Sequence, residues 1–181
     1  GKMILIVDMN REKNSLGLYE FVLPIASIVR DFADYEIKHY SEVDDTENYE
    51  RIILSGVPLK DNRFVEEKEK FEWIKTCKIP ILGICAGMQI IAITFGSSLV
   101  KCQEIGMTRM RTLKENLLFS GEFEAYELHN YAVKPSEEFE VLAVSKACAQ
   151  AIKHRGKKVY GVLFHPEVRN REILRRFCSI G

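Results

Sequence analysis

The sequence predicts an α/β fold with a central, mostly parallel sheet, helices on both faces, and extra antiparallel strands in its second half. Three observations carry this. Short, nearly continuous apolar runs (ILIV at 4–7, RIIL at 51–54, ILGI at 81–84) are what strands covered on both faces require. Segments with apolar residues at spacings of three and four lie between them, so strand and helix alternate. Beyond residue 105 the pattern turns to short alternating segments divided by turn residues, which suits strands added antiparallel.

The chain has 181 residues, which fits one domain spanning 1–181. A globule of that size buries roughly 70% of the surface its unfolded chain exposes. Residues 2–7 form the first predicted strand, followed by a polar loop over 8–15. This opening run continues into Asp8 instead of a small-residue cleavage site, so it reads as a strand and not a signal peptide. Leu18, Phe21, Val22, Ile25, Ile28, Val29 and Phe32 share one helical face within 16–32, where Pro24 must kink the helix or mark its true start. Residues 35–40 alternate as a strand, and 51–54 form a buried one ended by Ser55-Gly56-Val57-Pro58. A charged helix is expected over 64–76, then a strand over 79–84 and a helix over 87–95. Strands are expected over 108–113, 124–128, 140–145, 149–154 and 159–164, with a closing helix over 171–178.

Charge and composition exclude several roles. Lys plus Arg and Asp plus Glu both number 26, so no net positive field draws in nucleic acid or an anionic membrane surface. No apolar run approaches the roughly 20 residues that span a bilayer. The five cysteines (Cys77, Cys85, Cys102, Cys148, Cys178) lack CxxC pairs or metal-ligand spacing, which predicts a reducing cytoplasm and no metal. Four of them are read as packing residues.

Cys85 is different. In Gly83-Ile84-Cys85-Ala86-Gly87 it stands between a buried strand and a helix. Such an elbow strains the backbone, and the flanking glycines avoid collision with the neighbouring strand and helix. The helix start directs its amides and positive dipole end at the sulfur, favouring thiolate. A lone cysteine after a strand is ordinarily packing, but a thiol nucleophile needs a base, and His165 offers one. It follows the apolar run Val159 to Phe164 and precedes Pro166 and Glu167, whose carboxylate can accept the second ring N–H. His39 and His154 lie in polar contexts and are expected to be solvated, while His129 is not assigned from the pattern alone.

GICAGMQ together with YGVLFHPEV resembles the class I glutamine amidotransferases, and the likeness covers nearly the whole chain. The resemblance implies a flavodoxin-like fold and a triad of Cys85 (nucleophile), His165 (general acid/base) and Glu167 (orienting carboxylate). It implies an oxyanion hole from the backbone N–H groups of Val57 and Ala86, and substrate contacts from Gly56, Gln89, His129, Asn130 and Tyr131. L-glutamine would be hydrolysed through a thioester, with no cofactor in this chain. Only 14 residues follow Glu167. The ammonia acceptor is therefore expected to be a separate synthetase subunit, of ATP-pyrophosphatase type, carrying the ATP and Mg²⁺.

Within the family, the sequence most resembles the stand-alone glutaminase subunit of archaeal-type GMP synthase, whose partner activates XMP. Its Leu128-His129-Asn130-Tyr131 segment looks closer to carbamoyl-phosphate, anthranilate and aminodeoxychorismate enzymes. Relatives often carry glycine where this chain has Val57 and Leu59, so the isolated chain is expected to have low basal activity if Val57 must reach positive φ. The alternatives are a glutaminase subunit of an anthranilate, aminodeoxychorismate or other synthase, a γ-glutamyl hydrolase or peptidase, and a glutamine-binding regulatory module with weak catalysis.

Overall fold

The computed structural model describes residues 3–180. The first strand, β1 (Met3–Asp8), is buried almost throughout; Lys2, expected as its first residue, lies outside the described residues. A π-helical turn (Leu18–Val22) leads into α1 (Leu23–Val29), with Pro24 in its first turn. Pro24 thus marks the start of the α-helix, where its missing N–H has no intrahelical role. Next come β2 (Asp34–His39), β3 (Tyr49–Leu54), a short α2 (Arg63–Glu66) and a 3₁₀ segment (Lys68–Lys75). The remainder is β4 (Ile81–Ile84), α3 (Ala86–Thr94), β5 (Ser98–Thr112), β6 (Glu122–Lys134), β7 (Phe139–Val144), β8 (Ala149–His154), β9 (Val159–Val162) and α4 (Arg171–Cys178).

One sheet runs β2-β1-β3-β4-β9-β8-β7-β5-β6. The five strands from β2 to β9 pair in parallel, and the rest pair antiparallel. On one face Ile4, Ile6, Ile53 and Leu82 meet α1 and α4 through Ile25, Val29, Leu174 and Phe177. On the other, Leu5, Val7, Ile52 and Ile81 meet Phe64, Phe71, Ile74 and α3. Alternation along each central strand therefore separates two apolar layers, as the continuous runs predict.

Three local expectations need correction. The helix read over 64–76 is α-helical only at its start, because the chain leaves helical geometry at Glu67 (φ −110°, ψ 30°) and continues as 3₁₀. Phe71 and Ile74, three apart, then stack on the same buried side, which suits three residues per turn. β5 begins ten residues earlier than the expected 108, since residues 98–107 are half exposed and carry too little apolar alternation to stand out. Finally, His39 and His154 are buried, at 8% and 9% exposure. His39 Nε2 lies 2.6 Å from the Asn10 carbonyl, and the His154 ring packs 4.5 Å from that of Phe95, so tertiary neighbours cover both.

Candidate active site

β4 and β9 are adjacent and parallel, so the residues leaving their carboxyl ends emerge side by side. Ile84 pairs with Val162, and the Cys85 N–H donates to the Val162 carbonyl at 2.8 Å. Cys85 adopts φ 50°, ψ −102° and immediately precedes α3. A non-glycine residue held there costs on the order of 1–3 kcal/mol, which the surrounding structure must supply. The tightness is measurable at the flanking glycines. A Cβ on Gly83 would lie 2.4 Å from the Gly87 carbonyl carbon, and one on Gly87 would lie 2.5 Å from the Leu54 carbonyl oxygen. Backbone cannot yield at such distances, so both positions require glycine.

Gly56 brings Cys85 and His165 to a common point. A Cβ there would sit 2.7 Å from His165 Cε1 and 3.5 Å from Cys85 Cβ. The His165 N–H donates to the Tyr126 carbonyl at 2.9 Å, while its ring packs near those of Phe21 and Tyr126. His165 Nδ1 lies 2.9 Å from Glu167 Oε2, and both residues are 1% exposed. Burial by itself would lower the imidazole pKa. The Glu167 carboxylate and the adjacent Cys85 sulfur outweigh it and hold the group well above 6.5. The Cys85 thiol donates to the Leu128 carbonyl at 3.6 Å, leaving His165 Nε2 without a hydrogen-bond partner among the described residues.

The other expected residues gather nearby. Ala86 is the first residue of α3, where an N–H has no intrahelical partner. Val57 is 5% exposed, with its side chain in the apolar layer around α3, and its φ is not positive. Gln89 Nε2 donates to the Tyr131 carbonyl at 3.0 Å. Asn130 Nδ2 donates to the Leu59 carbonyl at 3.2 Å, linking β6 to the loop after β3. Together with Cys85, Val57, Ala86, Gln89, His129, Asn130 and Tyr131 border a cavity of only about 20 Å³. That is room for about one water molecule, far too little for an amino acid.

His129 faces two ways. It borders this cavity, yet its Nε2 lies 2.5 Å from Glu127 Oε2 and 3.0 Å from Glu104 Oε1. Burial would lower its pKa, but the two carboxyl groups raise it to about 10. Burial pushes the Glu127 pKa up, whereas Glu104, despite burial, is held down to about 2 by its hydrogen bonds, His129 first. Sequence reasoning missed this network. A usable signal exists in Glu127 and His129, two apart on a strand and therefore on one face.

The class-I glutamine amidotransferase family model matches residues 24–178. The A subunit of the glutamine-hydrolyzing GMP synthase of Methanocaldococcus jannaschii is 38% identical over 150 residues, covering 77% of this chain and 78% of that protein. Its counterpart in Saccharolobus solfataricus is 34% identical over 161 residues, covering 82% and 86%. A crystal structure from Thermoplasma acidophilum, described as that of a GMP synthase A subunit, superposes with a TM-score of 0.86 at 26% identity, over 98% of this chain and 92% of that one. A Thermotoga maritima glutamine amidotransferase shares the fold, with a TM-score of 0.72 at 20% identity, over 99% and 82%.

Proposed function

Because the chain belongs to the class-I glutamine amidotransferase family, we propose that it hydrolyses L-glutamine and supplies ammonia to a separate synthetase, as the glutaminase subunit of a GMP synthase. The observation that carries the reading is the meeting of Cys85 with the His165–Glu167 pair against Gly56, at the carboxyl ends of two adjacent parallel strands. The names of the relatives supply the pathway: both GMP synthase relatives are matched over more than three quarters of their own length.

In this reading the Cys85 thiolate attacks the side-chain carboxamide carbon of glutamine. Negative charge moves to the carboxamide oxygen, where the N–H groups of Val57 and Ala86 donate to it; such donors are typically worth about 3 kcal/mol of barrier each. His165, oriented by Glu167, protonates the departing nitrogen, and ammonia leaves with its bonding pair. A thioester remains on Cys85. His165 then takes a proton from water, whose oxygen attacks the thioester carbon; the carbon–sulfur bond breaks, glutamate leaves with its carboxyl proton passing to solvent, and the Cys85 thiolate is restored beside the protonated imidazole. Gly56 keeps the backbone close to both reacting side chains, and Gln89, His129, Asn130 and Tyr131 hold the amino-acid end of the substrate. These steps use protein groups alone. The partner, of ATP-pyrophosphatase type, activates its acceptor, XMP, with ATP and Mg²⁺. The expected compartment is the reducing cytoplasm; no helix among the described residues is long and apolar enough to cross a membrane.

The cavity above Cys85 must widen before glutamine enters, so the isolated chain should turn over slowly and the partner should accelerate it. The test is reconstitution. The chain is mixed with the synthetase subunit of an archaeal GMP synthase, XMP, ATP, Mg²⁺ and glutamine, and GMP and glutamate are measured. Glutamine-dependent GMP formation that vanishes with Cys85→Ala is expected. Glutamate production with no transfer to XMP would reject the GMP synthase assignment while keeping the glutaminase, and turnover of γ-glutamyl peptides by the isolated chain would favour a hydrolase.

A further inference from the structure

The antiparallel half holds a second group of reactive side chains that the glutaminase steps leave unused. Cys102 and Glu104 lie on β5, and Cys148 lies in the connection between β7 and β8. One donor atom from each lies within 4.8 Å of the other two. We propose that Cys102, Glu104 and Cys148 bind a thiophilic divalent cation of the zinc class. The proposal is independent of the glutaminase reading.

The spacing suits such an ion. Cys148 Sγ is 3.3 Å from Glu104 Oε1. In a tetrahedral zinc site, with Zn–S near 2.3 Å and Zn–O near 2.1 Å, the sulfur–oxygen edge is roughly 3.6 Å. A small outward shift of the two side chains therefore opens the space between them. Two thiolates with a carboxylate favour zinc over magnesium or calcium, which take oxygen ligands.

The carboxylate is already held from behind. Glu104 Oε1 accepts from Gln150 Nε2 at 2.7 Å and lies 3.0 Å from His129 Nε2, while Oε2 accepts from Ser145 Oγ at 3.0 Å. Outer partners of this kind orient ligating groups in metal sites. The same partners crowd around a single amide nitrogen. Gln150 Nε2 carries two hydrogens yet faces Glu104 Oε1, Glu127 Oε2 at 3.1 Å, Ser145 Oγ at 3.1 Å and Cys148 Sγ at 3.4 Å. Gln150 and Glu127 are fully buried, and the Oε1 atom of each has no hydrogen-bond partner among the described residues. Four acceptor atoms thus compete for the two Gln150 hydrogens, and a cation ligated at Glu104 would free the Gln150 amide to serve the others.

Access and proton balance are both in order. A cavity of about 610 Å³ lined by Lys101, Cys102, Gln103 and Asn130 reaches the Cys102 side from solvent. On ligation both thiols release their protons as the sulfur–metal bonds form. One dication with two thiolates and a carboxylate leaves a single negative charge beside His129, whose Nε2 lies 3.0 Å from Glu104 Oε1. The ion would tie β5 to the β7–β8 connection. It would thereby brace His129, the residue after Leu128, whose carbonyl accepts the Cys85 thiol.

The test uses full-length protein, stripped with a chelator and kept reduced, titrated with Co²⁺ and then Zn²⁺. The expected result is a thiolate-to-cobalt charge-transfer band with tetrahedral d–d absorption that saturates at one equivalent and is bleached by equimolar Zn²⁺. Cys102→Ser and Cys148→Ser should each lose the charge-transfer intensity of one thiolate, and the double variant all of it. Glu104→Gln should weaken Co²⁺ binding by about tenfold or more. Cys85→Ser should leave the spectrum unchanged. No band in the reduced wild-type protein, a band surviving the double variant, or one lost with Cys85→Ser overturns the proposal. If circular dichroism shows a serine variant unfolded, unaltered affinity in Glu104→Gln overturns it instead. A Cys102–Cys148 disulfide found by mass in air-oxidised protein, without Co²⁺ binding by the reduced form, would reassign the pair to thiol redox chemistry.

Discussion

The two halves of the sheet solve opposite problems. Among the parallel strands, β1, β4 and β9 are covered by apolar layers on both faces, and Cys85 and His165 emerge beyond the carboxyl ends of β4 and β9. From β8 to β6 the antiparallel strands carry ionisable and amide groups within the protein, with Glu127 and Gln150 fully buried and His129 at 2% exposure. In the first half the hydrocarbon layers fix the backbone and the backbone fixes Cys85 and His165. In the second, side chains fix one another. Substitutions in the two halves should therefore fail differently, through packing and the strand ends in the parallel half and through polar side-chain contacts in the antiparallel one.

The largest expected effect is at the sulfur. Cys85→Ala should lower glutaminase activity by about 10³-fold or more and abolish labelling by a glutamine-mimicking electrophile, with the fold intact by circular dichroism. Labelling that persists would move the nucleophile elsewhere. Next, Glu167→Gln should reduce kcat by about 10³-fold, because the imidazole loses its orienting anion. The same variant should lower the His165 pKa, read by ring NMR, since Glu167 is the largest influence raising it. The sign for stability follows: the His165 contribution is fully present below about pH 6.5 and is lost as pH rises through the raised folded value. A titration midpoint that does not move would separate the pair.

Gly56→Ala comes third, with a predicted loss of about 10²-fold in kcat, because its methyl carbon would lie 2.7 Å from His165 Cε1 and displace the ring. An unfolded variant would instead make Gly56 a folding residue. Val57→Gly is a smaller and opposite case. Freed from the apolar layer, the loop should donate its N–H more readily, raising the isolated chain's turnover several-fold while lowering the thermal midpoint. Unchanged or lower turnover rejects side-chain resistance as the cause of slow basal activity. The smallest effects contrast the halves directly. Leu82→Ala, fully buried between helices, should cost about 2–5 kcal/mol in urea unfolding, whereas Ile105→Ala, 59% exposed on β5, should cost under about 0.5 kcal/mol.

What the chain reveals on reading follows the same division. Ile81–Ile84 and Val159–Val162 announce themselves because a strand covered on both faces has no polar positions to confuse the pattern. The elbow is legible in Gly83 and Gly87, and both contacts prove to be with backbone. The early part of β5 is not, because Val100, Ile105 and Met107 are exposed and Glu104 turns inward. His39 and His154 read as solvated since their cover comes from residues distant in sequence. The expectation of no metal site rests on spacing along the chain. Cys102 and Cys148 meet only because β5 runs beside the β7–β8 connection, a proximity that no local motif encodes.

The hydrogen bond from Asn130 to the Leu59 carbonyl, closing a space of about 20 Å³, also bears on what becomes of the product. A wall tight enough to hold back bulk water around a newly freed amine delays its conversion to ammonium, which has no lone pair with which to attack an activated acceptor. The atoms that decide when a reactant enters would then also decide whether the nitrogen that leaves is still a nucleophile.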